Sequence, residues 1–149
     1  MEFTIPKPMK LEHDELHSEL AKATKEPGGI GEAARAVANV LHNHFVNEET
    51  YAIPPLGLLP QLAKGNVTKE MTEVLKMTDK LKAELPTMLK EHEAIVSALN
   101  DLVRIAKSEG RQEYIHFAEK LKLHAQTEEE VTYPTALLIG EYLKLKFDR

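Results

Sequence analysis

The sequence predicts an all-α protein, an up-down-up-down four-helix bundle with an extra helical segment before the third helix and a short C-terminal helix. Three observations carry this expectation. The composition is 42% hydrophobic but only 5% aromatic, and it is rich in Glu, Lys, Leu and Ala, which favour packed helices over strands. Apolar residues recur at steps of three and four rather than alternately. The connections between these stretches are short, so consecutive helices should be antiparallel neighbours. At 149 residues the chain has material for one sizeable core, and residues 1–149 are expected to form a single domain.

Pro6 and Pro8 suggest an extended start, after which Leu11, Leu16, Leu20 and Ala23 give a helical stripe that ends before Pro27-Gly28-Gly29. Helix one is expected over about 10–25. Ala33, Val37, Val40, Leu41 and Val46 extend the pattern until Pro54-Pro55 stops it, which sets helix two at about 30–51. The apolar run from Ile53 to Leu62 is read as a cover for one bundle end, because a long apolar loop left exposed invites association. Gly65-Asn66 leads to Thr68, a plausible N-cap. Periodicity then runs from Glu70 to Ile105 with Pro86 inside it. That proline is expected either to divide a leading helix, about 68–84, from helix three, about 86–108, or to kink one long helix. Gly110 ends the run. Helix four, about 111–131, carries Tyr114, Phe117 and Leu121, and Pro134 opens a final apolar helix that ends near Phe147.

Several function classes are excluded by composition. A net charge of -5 argues against nucleic acid, whose binding needs a clustered basic surface, and Lys144-Leu145-Lys146 is too small to supply one. With no cysteine, disulfides, thiolate metal sites and thiol nucleophiles are ruled out, so a transition-metal site must use His and carboxylate. No segment approaches the roughly 20 apolar residues of a membrane span. The expectation is a soluble, cytoplasmic protein that engages neither membrane nor nucleic acid.

A repeat supplies the chemistry. His44, Glu48, Glu49 and Pro54 fall on His124, Glu128, Glu129 and Pro134, 80 positions later. Upstream of each copy an apolar helical stretch carries a Glu-His pair, Glu12-His13 and Glu91-His92, so the chain reads as one helical hairpin used twice. Positions four apart on a helix point the same way, so His44/Glu48 and His124/Glu128 can each grip a shared site. Aligning helix one on helix three also matches Leu16 with Ile95 and Leu20 with Leu99, which gives His13 and His92 equivalent core-facing positions. Closing the hairpins gathers nitrogen and oxygen ligands at one interior point.

A lone His on an amphipathic helix is usually a surface or hydrogen-bonded core residue. Two matched His/Glu pairs and two matched lone His are hard to obtain by accident, and their unpaired burial would be costly without a cation. His17, one turn beyond His13, faces Val96 in the repeat. Counting it gives five His and two Glu, which divide into three nitrogens on one metal and two on the other, with both carboxylates bridging and one coordination position open. His42 and His116 are expected at the surface. Glu49 and Glu129 are expected to flank the ligands or accept hydrogen bonds from them, with Glu129 a reserve ligand. Met88, Tyr51 and Tyr133 are read as core or site-lining residues.

These residues resemble the hemerythrin-like (HHE cation-binding) domains, four-helix bundles that hold a non-haem di-iron centre, and the resemblance covers nearly the whole chain. In that family the first helix gives a His, the second a His-x-x-x-Glu, the third one or two His, and the fourth a His followed four or five residues later by an acid. His13, His44 with Glu48, His92, and His124 with Glu128 meet those positions in order. Oxygen-carrying hemerythrins have His-x-x-x-His on the third helix, whereas here Val96 stands where the second would be. His17 is expected to restore that nitrogen from helix one. The resemblance implies two iron ions as cofactor. Imidazole and carboxylate alone also suit zinc or manganese. A ferritin-like alternative needs Glu-x-x-His, and that spacing does not recur at corresponding places in the two halves.

Two functional classes follow. In the first, the protein binds dioxygen or another small diatomic ligand at the open iron position, for carriage, storage or sensing. In the second, it is a redox enzyme acting on peroxide, nitric oxide or iron. A structural bundle with a zinc site is a third possibility, separable by metal analysis. The first class is preferred, because nothing in the sequence resembles a substrate pocket.

Overall fold

The computed structural model describes residues 1–148, in which helices are the only regular elements. Helix α1 spans Lys7–Thr24 and begins earlier than the prolines suggested. Pro8 lies in the first turn, where its missing N–H would have had no helical partner in any case. Residues His13, Leu16, Leu20 and Ala23 are buried, alternating steps of three and four that draw one seam along the helix. Helix α2, Gly28–Asn47, buries Ile30, Ala33, Ala34, Val37, Leu41, His44 and Phe45.

Where the sequence predicts that helix two simply continues to about 51, the chain widens into a π-helical turn at Glu48–Ala52. A second π-turn, Glu128–Thr132, follows α5 (Gln112–Thr127) at the equivalent place in the repeat. Proline is the common cause. Pro54 and Pro134 cannot donate a backbone hydrogen bond and crowd the carbonyl four residues back, and the ladder relaxes to i→i+5 bonds, such as Ile53 N–H to the Glu48 carbonyl at 2.9 Å.

The connection after the first π-turn is folded. A 3-10 turn at Pro54–Leu58 buries Pro54, Pro55, Leu56 and Leu58, short helix α3 covers Leu59–Ala63, and a second 3-10 turn, Lys69–Val74, leads into the long helix α4, Leu75–Glu109. The apolar run thus covers a bundle end, as expected. Pro86 does not divide the helix: α4 runs through it unbroken. Both Pro86 and Lys82, whose carbonyl loses its partner, are exposed, so water can meet that carbonyl. Gly110, at φ 69°, ends α4 in the left-handed conformation. Arg111 N–H bonds back to the Ala106 carbonyl at 2.9 Å, as in a Schellman cap.

Helices α1, α2, α4 and α5 pack in a closed ring, α1 on α2, α2 on α4, α4 on α5 and α5 on α1. Helix α6, Tyr133–Lys146, lies against α4 and the turns. Its close approach to α4 needs Gly140, since a Cβ there would run into the Thr78 side chain.

Two apolar layers fill the interior. One contains Leu16, Leu20, Ile30, Val37, Leu41, Ile95, Leu99, Leu102, Phe117 and Leu121. The other contains Tyr51, Ile53, Leu56, Leu81, Met88, Tyr133 and Ala136. Each fully buried aliphatic or aromatic side chain contributes about 1.5–3 kcal/mol. Along the chain, His13 precedes Leu16, His44 follows Leu41, His92 lies between Met88 and Ile95, and His124 follows Leu121. The polar site is therefore set between the two layers.

At the far end, Arg111 pairs with Glu26 through both terminal nitrogens, at 3.1 and 3.2 Å, and Tyr114 donates to the same carboxylate at 2.8 Å. This ties the start of α5 to the α1–α2 connection.

Candidate metal centre

Six side chains meet between the apolar layers: His13 from α1, His44 from α2, His92 from α4, His124 from α5, and Glu48 and Glu128 from the first residue of each π-turn. All six are buried, the most exposed being His124 at 9%. They form two groups that share the carboxylates. His13, Glu48, His124 and Glu128 make one, and His44, Glu48, His92 and Glu128 the other, with the donor atoms of each within 4.8 Å of one another.

Each carboxylate splits its oxygens between the groups. Glu48 turns Oε1 toward His13 Nε2 (3.7 Å) and Oε2 toward His44 Nε2 (3.3 Å). Glu128 turns Oε2 toward His13 and His124 Nε2 (3.7 and 3.1 Å) and Oε1 toward His92 Nε2 (3.2 Å). An ion with bonds of about 2.0–2.2 Å places neighbouring donors about 3.0–3.5 Å apart and opposed donors about 4.2 Å apart. The observed separations lie in that range.

The first group also displays an unmet need. His13 Nε2, His124 Nε2, Glu48 Oε1 and Glu128 Oε2 are buried without any hydrogen-bond partner. Buried polar atoms in folded proteins are nearly always satisfied, and these four are the donor atoms of one group. A cation at their centre satisfies all of them together, so the donor set fits a bound metal.

The outward faces of the imidazoles repeat a single device. His13 Nδ1 meets Glu49 at 2.9 Å, His44 Nδ1 meets Glu91 at 2.8 Å, His92 Nδ1 meets Glu129 at 3.1 Å, and His124 Nδ1 meets Glu12. Because an ionised carboxylate only accepts, each Nδ1 carries a proton and each Nε2 faces inward, the orientation in which a bound metal would take the Nε2 lone pair. Lys10 steadies Glu49 from outside at 2.8 Å. Glu129, the expected reserve ligand, therefore takes this outer position instead. Glu12 and Glu91 serve a neighbouring helix rather than their own: Glu12 on α1 holds His124 on α5, and Glu91 on α4 holds His44 on α2.

Electrostatics without metal follows from the crowding. Burial pushes the His44 and His124 imidazoles toward neutrality, but the facing Glu48 and Glu128 carboxylates outweigh it and raise each to about 9. His13 is likewise raised, with burial opposed by Glu128 and Glu48. Two carboxylates cannot both ionise readily at one dry point. Burial and the Glu128 charge lift Glu48 to about 7. Glu128 lies well below the usual carboxylate range: burial opposes this, but the Glu48, His124, His13 and His92 side chains that face it outweigh burial.

Two sequence expectations change. His17 is not brought to the site. It is exposed, because the buried seam of α1 passes through 13, 16, 20 and 23, and Phe45 stands between it and the centre. Phe45 stacks on the His13 ring at 4.1 Å and 8°, while His17 meets its edge at 5.7 Å. The nitrogens accordingly divide two and two rather than three and two.

Tyr133 supplies the asymmetry instead. Its hydroxyl donates to Glu48 Oε2 at 2.5 Å and lies 3.3 and 3.2 Å from His44 and His92 Nε2. Burial and the Glu48 and Glu128 charges push its phenol far up, so it stays protonated. In an α-helix, residue 133 would point well away from Glu128. In the π-turn its N–H bonds to the Glu128 carbonyl, which brings it over the glutamate. Its repeat counterpart is Ile53, which has no polar atom on its side chain. His42 and His116 are exposed, as expected.

No curated protein and no solved structure matches the chain. The family model of the hemerythrin HHE cation binding domain matches residues 4–136, a span that contains all six inward-facing side chains, the four outer carboxylates and Tyr133. The chain belongs to the hemerythrin HHE cation-binding domain family, and its buried His/Glu cluster fits a metal-binding site.

Proposed function

We propose that the centre holds two iron ions and binds dioxygen or a related small diatomic ligand for carriage, storage or sensing. The observation that carries the reading is the pair of four-donor groups sharing Glu48 and Glu128, one of them made wholly of buried atoms with no protein partner. Iron would supply a redox-active centre with exchangeable positions, since four protein donors do not fill a five- or six-coordinate ion.

The chain's own groups do the rest. His13 and His124 would hold one ion and His44 and His92 the other, with Glu48 and Glu128 contributing an oxygen to each. The outer carboxylates fix the rings, and the apolar layers keep bulk water away.

Access differs between the halves. A cleft of about 660 Å³ between α4 and α5 reaches His92, with Val96 and Ala125 among its walls. The equivalent cleft between α1 and α2 does not reach His13, whose ring Phe45 covers. Ala125 is the repeat counterpart of Phe45, and it leaves open what Phe45 closes. A small ligand would travel along the α4/α5 side.

Tyr133 favours a second reading. A phenol donating to the shared Glu48 carboxylate can deliver a proton, as a redox enzyme acting on peroxide or nitric oxide would need.

The test is metal analysis of protein purified without air, with optical spectra before and after oxygen is admitted. Two irons per chain and a new absorption band that reverses under vacuum support the binder. Irreversible oxidation supports the enzyme. Zinc alone, or manganese alone, removes both iron readings.

A further inference from the structure

We propose that His17 and His42 form a separate surface site for a borderline divalent transition cation of the zinc, nickel or copper(II) class. The pair is the one grouping of imidazoles that the buried centre does not use. The rings face each other across the α1/α2 groove with centroids 5.9 Å apart and planes at 61°.

The buried centre supplies a yardstick from the same molecule. The two imidazoles of its first group have centroids 5.0 Å apart at 66°, and those of its second 4.7 Å apart at 62°. The surface pair has the same edge-on arrangement about 1 Å wider, a gap that exposed side chains close by small rotations within their rotamer wells.

The surroundings suit a cation that keeps some water. His17 and His42 line a cleft of about 540 Å³ with Asn39, Asn43 and Thr24. Asn39, His42 and Asn43 stand at i, i+3 and i+4 on α2, so they share one face, and the two asparagines bring neutral amide groups to the same cleft. Among the described residues neither His17 nor His42 is paired with a carboxylate, unlike His116, whose Nδ1 faces Glu119 at 4.0 Å. Two imidazoles with neutral oxygens are a borderline donor set that favours zinc, nickel or copper(II) over magnesium or calcium. A cation held there would pin α1 to α2 one helical turn from His13, with the Phe45 ring between the two sites.

The site does not depend on what the buried centre holds, because its removal leaves all six inward-facing residues intact. The test is equilibrium dialysis of the full chain against a series of free zinc concentrations, comparing wild type with H17A/H42A, with the milder H17Q and H42Q, and with H116A. Wild type and H116A are expected to reach the same plateau, and the His17 and His42 variants a plateau one zinc per chain lower. Copper(II) electron paramagnetic resonance on the same proteins is expected to show, beyond any signal from the buried groups with their two imidazoles each, a further two-nitrogen signal that the H17Q and H42Q variants lose. Equal plateaus in wild type and H17A/H42A would overturn the proposal, as would copper spectra of H17Q and H42Q that match the wild type.

Discussion

Chelating the metal is expected to lower the melting temperature, and to lower it more as pH rises. Removing the ion exposes the need of His13 Nε2, His124 Nε2, Glu48 Oε1 and Glu128 Oε2, which have no other partner. Leaving a buried polar atom unsatisfied costs about 1–3 kcal/mol, so four at the low end forgo about 4 kcal/mol, a large share of a typical stability of about 5–15 kcal/mol. At about 2–4 °C per kcal/mol for a chain of this size, the metal-free protein should melt about 8–16 °C lower.

Protons offset part of this loss. With metal absent, His44 and His124 titrate near 9, above the ordinary 6.5. A raised folded-state value gives stabilisation that is complete below about 6.5 and lost as pH climbs through 9. An imidazole ligated through Nε2 and protonated at Nδ1 has no such proton to lose. The gap between loaded and chelated protein should therefore be smallest near pH 6.5 and widest at pH 9 and above. Thermal melts followed by circular dichroism at pH 6.5, 8 and 9, with and without chelator, measure it directly. Equal melting temperatures after verified metal removal, or a gap that narrows as pH rises, would refute the reasoning.

Three further outcomes follow from named contacts. Tyr133→Phe removes a charge-assisted hydrogen bond to Glu48 and should cost about 1.5–3 kcal/mol in the metal-free protein, while metal analysis still finds both ions because the eight Nε2 and carboxylate contacts remain. Glu91→Ala frees the His44 ring and should weaken metal binding by about 10–100-fold in a chelator competition, whereas the exposed Glu93→Ala should not. Ala125→Phe places in the α4/α5 cleft the ring that covers His13 in the other half, and should slow oxygen binding in stopped flow without changing metal content.

The fold and the six inward-facing residues were legible for a common reason: both depend on period and spacing. Helical steps of three and four located α1, α2, α4 and α5, and the i, i+4 rule aligned His44 with Glu48 and His124 with Glu128. What the spacing could not carry was departure from the α period. The π-turns were marked only by Pro54 and Pro134, which read equally well as helix ends, so Tyr133 could not be seen to lie over Glu128. His17 failed for a related reason. A step of four from His13 continues its face only approximately, and the steps to Leu16 and Leu20 take the buried seam to the other side of it. The outer carboxylates left a fainter signal. Glu12-His13 and Glu91-His92 repeat as pairs, but each glutamate serves a histidine on another helix, and only the packing of α1 on α5 and of α2 on α4 reveals which.

Anomalous diffraction from crystals of the iron-loaded protein, recorded at the iron edge, tests the central claim most directly. The account predicts two peaks about 3.5–4 Å apart, one between His13 and His124, the other between His44 and His92, with Glu48 and Glu128 spanning both. A single peak, or iron bound away from these six residues, would contradict it.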